Sequence, residues 1–265
     1  MYTEIIEEQN FRKRSYNWKT AIGLQQVDGL VPSEYLIDLA NRNIKGEVSL
    51  YEVRNKLQEY YANKPATTTD EHRQKEADLV SQRISELLSE QAFTLSPVQL
   101  LAIHKHLFED IYDFAGQIRT YNIAKEEFVL NGESVDYGDK SLLQEMLEHD
   151  ISKEKQFDYA KIDAQQQIEH FAKFISDMWQ IHCFAEGNTR TIAVFAIKYL
   201  RKLGYDTTND LFEKHSFYFR NALVRANYTN LQKNIHRTIA PLVAFFENLL
   251  QSRNNELRNR NLIVS

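Results

Sequence analysis

Apolar residues recur along most of the chain at the three- and four-residue spacing of amphipathic helices. The clearest such segment spans residues 162–182, and one of its faces carries Ile168, Phe171, Ile175, Met178 and His182. A second strongly apolar helix is predicted over residues 189–204, and Gly204 is its expected stop. The same spacing predicts helices over residues 76–90 and 96–112, and two or three more toward the C-terminal end.

Two shorter helices are predicted near the N-terminus, over residues 33–46 and 49–61. Ser49, with Glu52 three residues later, has the spacing of a capping box at the start of the second helix. Both helices are therefore expected to have defined ends.

A polar stretch at residues 62–72, which carries Pro65, is the best candidate for a linker. It separates a region about as long as a small helical unit from the rest of the chain. We therefore expect one helical region at residues 1–62 and a second domain at residues 63–265.

The helical pattern breaks between residues 116 and 136. β-Branched and aromatic residues flank Lys125-Glu126, and Asn131-Gly132 offers a turn. This composition predicts a short β-hairpin or flap inserted into a helical fold. The charged C-terminal segment, residues 251–265, is predicted to be frayed.

Composition supports a mainly α-helical fold, since 265 residues include only 4 prolines and 8 glycines. The formal net charge of −5 argues against a nucleic-acid partner recognised by charge. No run approaches 18 consecutive apolar residues and no secretory signal is seen, so neither a membrane nor export is expected. The single cysteine, Cys183, fits a reducing cytoplasm.

The loop between the two strongest helices, IHCFAEGNTR at Ile181–Arg190, concentrates reactive residue types. A glycine turn before a helix N-terminus suits an anion, and Asn188 or Thr189 is the expected cap. Arg190 adds a forked donor for phosphate oxygens. Glu186 adds an oxygen ligand for Mg²⁺ on phosphates, and His182 is the nearby group that could take a proton near neutral pH.

Each of these residues has an ordinary alternative. A histidine on an apolar face is usually a satisfied core residue, and a loop glutamate or a helix arginine is usually solvated. The joint arrangement is what favours a phosphate site with a base.

The run HCFAEGNTR resembles the signature of the Fic family, His-x-Phe-x-(Asp/Glu)-Gly-Asn-Gly-Arg-x-x-Arg. Six positions match the signature: His182, Phe184, Glu186, Gly187, Asn188 and Arg190. The resemblance extends over roughly residues 76–248, with residues 116–136 as the flap. It implies a Fic-type helical core and an enzyme that moves AMP from ATP to a Ser, Thr or Tyr hydroxyl of a target protein.

The resemblance also implies roles for individual residues. His182 would deprotonate the target hydroxyl, and Glu186 would hold Mg²⁺ between the α and β phosphates of ATP. The nucleotide cradle would be formed by Gly187, Asn188, Thr189 and Arg190, with Arg190 on the β phosphate. In the flap, Ile123 and Phe128 would pin a segment of the target protein by main-chain pairing.

Two positions depart from the signature and leave alternatives open. Thr189 replaces a glycine, and Ala193 replaces the second arginine, which in the family holds the γ phosphate. The related Doc branch, which transfers a terminal phosphate, also lacks that arginine. A Doc-like phosphotransferase and a catalytically silent nucleotide- or partner-binding Fic fold are therefore the alternatives to an adenylyltransferase.

The N-terminal region is similar to the small helical antitoxin that partners some Fic toxins, in the stretches Asp28-Gly29-Leu30 and Gly46-Glu47-Val48-Ser49. That antitoxin directs a glutamate from a Ser/Thr-x-x-x-Glu-Gly helix against the second arginine. Here Leu24 replaces the hydroxyl residue and Asp28, followed by Gly29, replaces the glutamate. Asp28 and Gly29 are thus inhibitory candidates. Because the arginine is Ala193, we expect their pairing to be weak or rewired; helices that merely cover apolar surface are the alternative.

Overall fold

The computed structural model describes residues 2–208 and 210–264, with side chains from residue 6 onward. Within these residues it contains ten α-helices, α1 to α10 in chain order. Their bounds are Tyr2–Gly23, Glu34–Lys45, Leu50–Asn63, Thr69–Ser89, Pro97–Phe108, Leu143–Gln156, Ala164–Ile181, Asn188–Lys202, Leu211–Ala226 and Ala240–Gln251. The mainly α-helical class predicted from the sequence is confirmed.

Local side-chain chemistry fixes several helix starts. Ser49 and Glu52 form the predicted capping box at the start of α3, and Ser96 caps α5 ahead of a proline in the first turn. Gly46 ends α2 in the left-handed conformation, as expected for a glycine stop. These ends explain why the boundaries of α2, α3 and α5 lie close to those predicted.

The long N-terminal helix α1 was not predicted from the apolar pattern. It packs against α4 and α9, and it buries Trp18 and Ala21 completely. The end of α1 is very close to α9, because a Cβ atom at Gly23 would lie 2.4 Å from the Cα of Glu213.

The buried apolar residues form two clusters. The larger one surrounds α7 and α8, and its members include Phe171, Ile175 and Phe195. The smaller one joins α1, α2 and α3 to Leu79 of α4. The Nε1–H of Trp18 donates to Asn43 Oδ1 at 2.9 Å inside this smaller cluster. The division of the chain at residue 62 stays a prediction.

The β-hairpin predicted between residues 116 and 136 is wrong. The described residues of this segment contain no strand, and Phe128–Leu130 form a single 3₁₀ turn. Glu127 pairs through its backbone, since its N donates to Glu133 O at 3.1 Å and its O accepts from Gly132 N at 3.1 Å, but the amide of Lys125 donates to the Ser134 hydroxyl instead. Because a side chain is the acceptor there, the backbone pairing does not continue beyond Glu127. We refer to residues 116–136 as the flap loop.

The C-terminal tail is docked rather than frayed. Its last described residues pair with the flap loop, since Val264 N donates to Val129 O at 2.9 Å and Asn131 Nδ2 donates to Val264 O at 2.9 Å. Leu262 is 5% exposed and packs into the larger cluster. The tail therefore holds one side of the flap loop in place. Over the part of the chain that is described, no helix is long and apolar enough to cross a membrane.

Candidate active site

The loop between α7 and α8 depends on two left-handed residues. His182 ends α7 with φ 49° and ψ 54°, and Gly187 precedes α8 with φ 76°. A Cβ atom at Gly187 would lie 2.4 Å from the ring of Phe108, so glycine is required there by space as well as by backbone angle. The residue preceding α8 is therefore Gly187, and the prediction that Asn188 or Thr189 caps the helix is wrong.

The side chains of Asn188 and Thr189 turn into the protein interior. Asn188 bonds twice to the backbone of Phe184, donating to its carbonyl at 2.8 Å and accepting from its amide at 3.0 Å. The Thr189 hydroxyl accepts the indole N–H of Trp179 at 3.0 Å. Asn188 thus closes the loop on itself. Thr189 extends the core, and its hydroxyl is already engaged there.

His182 has one ring nitrogen engaged and one without a partner. Its Nδ1 lies 3.3 Å from the carbonyl oxygen of Trp179, and Tyr137 lies against the ring with centroids 4.1 Å apart. Because a carbonyl can only accept, the network assigns the proton to Nδ1 and leaves the lone pair on Nε2. Nε2 is buried and has no hydrogen-bond partner. Burial, followed by the charge of Lys125, holds the pKa of His182 well below its usual value.

A cavity of about 500 Å³ opens beside this loop. It is lined by Val27, Asp28, Gly29, Leu30, Arg73, Glu76, Tyr112, Lys125, Glu186, Arg190, Phe217 and Arg220. Four cations and three carboxylates face one another in it. A polyanion can bind there if its oxygens replace the carboxylates as partners of the cations. Among the described residues His182 is not part of this lining. The structure thus brings Glu186, Arg190, Asp28 and Gly29 together.

Arg190 is fully buried and is held by three acidic or amide side chains. Its Nε lies 2.8 Å from Asp28 Oδ2, its Nη2 donates to Glu76 Oε1 at 2.7 Å, and its Nη1 donates to Gln25 Oε1 at 3.2 Å. The guanidinium also lies over the Phe108 ring at 4.9 Å. Burial alone would lower the pKa of Arg190, but the carboxylates of Asp28 and Glu76 raise it.

Glu186 is paired with a lysine of the flap loop. Lys125 Nζ lies 2.9 and 3.0 Å from the two carboxylate oxygens. Burial would raise the pKa of Glu186, but the Lys125 charge lowers it, so the group is a carboxylate at neutral pH. No three His, Cys, Asp or Glu side chains converge on a metal cage within the described residues. A cation on Glu186 would therefore need further oxygen ligands, of the kind that nucleotide phosphates provide.

Two positioning residues have roles that sequence reasoning missed. His104 accepts Gly116 N–H at Nδ1 (2.8 Å), lies 3.0 Å from the Glu186 carbonyl through Nε2, and stacks on Phe184 at 3.7 Å. Burial lowers the pKa of His104 to about 4, so its ring is neutral. Arg119 donates from Nε to the carbonyl of His182 at 2.8 Å. A histidine at helical spacing and an arginine in a loop are both common in proteins. Neither residue type therefore indicates a positioning role from the sequence alone.

The two flap residues singled out from the sequence lie differently. Ile123 is half-buried, whereas Phe128 is 55% exposed and faces Phe217 with ring centroids 5.9 Å apart. Between them the flap loop buries Glu127, which pairs with Arg220 at 2.8 Å. The Tyr137 hydroxyl donates to the same carboxylate at 2.9 Å. An internal ion pair thus ties the flap loop to α9 and to the ring that covers His182.

Residues 94–200 match the model of the Fic/DOC family. The protein adenylyltransferase VbhT of Bartonella schoenbuchensis is 26% identical over 144 residues, which are 50% of this chain and 29% of VbhT. The probable protein adenylyltransferase y4lH of Sinorhizobium fredii is 31% identical over 121 residues, 44% of this chain and 58% of y4lH. The chain therefore spans less than two thirds of either relative.

A solved structure supports the same fold. It is the N-terminal Fic domain of a VirB-translocated Bep effector protein from Bartonella quintana, with bound ADP. It aligns with a TM-score of 0.50 at 17% identity, covering 70% of this chain and 87% of that one. At this identity the match establishes the Fic fold of the core.

Proposed function

We propose that the protein is a Fic-type nucleotidyltransferase that moves AMP from ATP to a hydroxyl side chain of a target protein. The observation that carries the proposal is the unpartnered Nε2 of His182, held in the base tautomer at the head of the Glu186–Arg190 loop. Two relatives named as adenylyltransferases and a structural neighbour with bound ADP support it.

The proposed step is a displacement at the α phosphorus of ATP. The target hydroxyl oxygen forms the new bond to that phosphorus, its proton passes to His182 Nε2, and pyrophosphate leaves. Arg190 and the N-terminus of α8 hold the phosphate oxygens. Glu186 would hold Mg²⁺, whose charge would offset that of the phosphates. Because Nε2 is buried, the part of the flap loop near Tyr137 must open before a hydroxyl can reach it.

The Asp28–Gly29 turn is proposed to act as a brake on this reaction. In the structure Arg190 is already occupied by Asp28, Glu76 and Gln25. Phosphate oxygens would have to displace at least one of these partners. We further propose that Ile123 and Phe128 contact the extended target segment, since both lie on the flap loop and neither is fully buried.

Mass spectrometry with labelled ATP tests the proposal. Incubation with ATP and Mg²⁺, alone and with candidate target proteins, should attach one AMP per modified hydroxyl, and label at the α phosphate should be retained. His182→Ala should abolish the product, whereas His149→Ala, a change at an exposed histidine of α6, should not. Product from His182→Ala at the wild-type rate would remove His182 as the base.

Ala193 favours a second candidate, Doc-like transfer of the terminal phosphate. Ala193 is fully buried, so α8 offers no second arginine there for a γ phosphate. In this case label from the γ phosphate would reach the target and label from the α phosphate would not. Tight ATP binding without either product would indicate a catalytically silent Fic fold.

A further inference from the structure

A second cavity, of about 860 Å³, lies at the opposite end of α8 from Arg190. It is bounded by α1, the end of α4, the end of α8 and the segment that follows α8, and we call it the distal pocket. Its lining includes Arg12, Lys13, Phe93, Lys198, Arg201, Lys202 and Tyr205. Arg190 and Lys202 are twelve residues apart on one helix, which corresponds to about 18 Å. The two cavities are therefore separate sites.

The distal pocket has a positive local charge, opposite in sign to the net charge of the chain. Five basic residues line it against two acidic ones, Glu90 and Asp206, a local excess of three positive charges in a protein of net charge −5. Both acidic residues are exposed. Arg12, Lys13 and Lys202 are exposed as well, so an anion entering this pocket would meet a net positive charge at the rim and two further cations in the wall.

Two of the cations are built into the wall. Lys198 is 3% exposed, and its Nζ donates to the carbonyls of Leu87 at 2.6 Å and Glu90 at 2.9 Å. Arg201 donates to Leu88 O at 2.6 Å, to the Thr207 hydroxyl at 3.2 Å and to Asn17 Oδ1 at 3.4 Å. The acceptors in these contacts are neutral oxygens. Both side chains also have N–H groups that these contacts do not use. Burial lowers the pKa of each, so a bound anion would stabilise the charged forms.

Aromatic rings line the same cavity. Phe93 is fixed in orientation by Phe195, at 5.1 Å edge to face, and by Tyr199, at 6.0 Å in a stacked arrangement. Tyr205 is half-buried and is anchored by a hydrogen bond from its hydroxyl to Gln167. Rings held in this way can stack against a flat group of a ligand. A phosphate alone has no such group.

We propose that the distal pocket binds a nucleotide, with its phosphates on Lys13, Lys198, Arg201 and Lys202 and its base against Phe93 and Tyr205. The volume lies within the range of ligand sites, and cations combined with fixed rings match the two halves of a nucleotide. The proposal is independent of the reaction proposed for the Arg190 cavity.

Photolabelling with 8-azido-ADP, followed by peptide mapping, tests the distal pocket without any assay of transfer. The expected result is covalent label on residues 91–93 or 205–208, apart from any label near residues 182–190. The double variant Lys13→Glu, Lys202→Glu should reduce the distal label at least tenfold, because it replaces two rim cations with anions. The double variant Lys153→Glu, Lys155→Glu makes the same change in net charge on α6 and should label as the wild type does.

Either of two results would overturn the proposal. One is an absence of label on residues 91–93 and 205–208 at a saturating concentration of the probe. The other is equal distal labelling in the Lys13, Lys202 variant and in the α6 control. Phe93→Leu provides a further check, since it keeps an apolar side chain but removes the ring. Weaker distal labelling is expected from it, and unchanged labelling would contradict the role of the ring.

Discussion

The contact between Asp28 and Arg190 yields the sharpest prediction. Arg190 is held by Asp28 at 2.8 Å, by Glu76 at 2.7 Å and by Gln25 at 3.2 Å, and it is the cation proposed to bind the nucleotide phosphates. Asp28→Asn preserves the shape of the side chain and removes its charge. In this variant no charged side chain at position 28 competes with the phosphates for Arg190, so we expect ATP to bind more tightly.

The size of the gain follows from the contacts that remain. Asp28 is an ion-pair partner of Arg190 at 2.8 Å, but Nε makes no hydrogen bond, so its contribution falls at the lower end of the about 1.5–3 kcal/mol of a hydrogen bond to a charged group. Glu76 and Gln25 still hold Arg190 in the variant, so the lower end applies, and about 1.5 kcal/mol corresponds to roughly tenfold in Kd. The same loss should lower the free energy of unfolding by about 1 kcal/mol, because a buried guanidinium loses one of its two carboxylate partners.

Isothermal titration calorimetry with ATP and Mg²⁺ measures the change in Kd, and urea unfolding measures the stability. The matched control is Asp38→Asn, which makes the same chemical change on α2, where Asp38 faces Arg42 only at 4.0 Å and is exposed. The control should leave both quantities unchanged. An Asp28→Asn protein that binds ATP no more tightly than the wild type would show that Asp28 does not compete with phosphate for Arg190.

Three further predictions concern other parts of the site. Lys125→Met frees the carboxylate with which Lys125 pairs, so Mn²⁺ should bind the ATP-loaded protein about tenfold more tightly in a paramagnetic resonance titration; weaker binding would make Lys125 a phosphate ligand instead. Gly187→Ala should lower the free energy of unfolding in urea by about 2–4 kcal/mol, since it combines a left-handed backbone with a clash. Gly132→Ala, with φ +88° but open space around it, should lower that free energy by only about 1 kcal/mol. His104 binds its proton in the unfolded chain near pH 6.5 but in the folded protein only near pH 4, so stability should fall by about 2 kcal/mol from pH 7 to pH 5. The slope should be shallower in His104→Gln, and an unchanged slope would exclude His104 as its source.

Local signals in the sequence account for much of the helical fold. Gly46, Ser49 and Ser96 determine helix ends by interactions within a few residues, so those ends were predictable. Helix α1 was not, because its buried residues are few and depend on packing against α4 and α9. The prediction of a hairpin in the flap loop is wrong for a related reason. The Ser134 hydroxyl takes the place of a backbone carbonyl as hydrogen-bond acceptor, and the turn residues alone do not show this.

The candidate site divides in the same way. The residue types of His182, Glu186 and Arg190 suggested the chemistry proposed for them, and the structure brings Glu186 and Arg190 to one cavity. The partners of these residues come from distant segments, as with Glu76 on Arg190 and Lys125 on Glu186. Contacts across more than 60 residues leave no periodic trace in a single sequence, so these partners could not have been predicted.

The rewired contact of Asp28 changes what the N-terminal region could do. In the resembled arrangement, the inhibitory carboxylate takes a second arginine and leaves the first one to the phosphates. Here position 193 is a buried alanine, and three residues earlier on the same face of α8 stands Arg190. Asp28 therefore occupies the arginine that is proposed to bind the phosphates. Binding of the ATP phosphates should then compete with the Asp28 contact, so a brake of this kind would weaken ATP binding itself rather than only misplace the bound ATP.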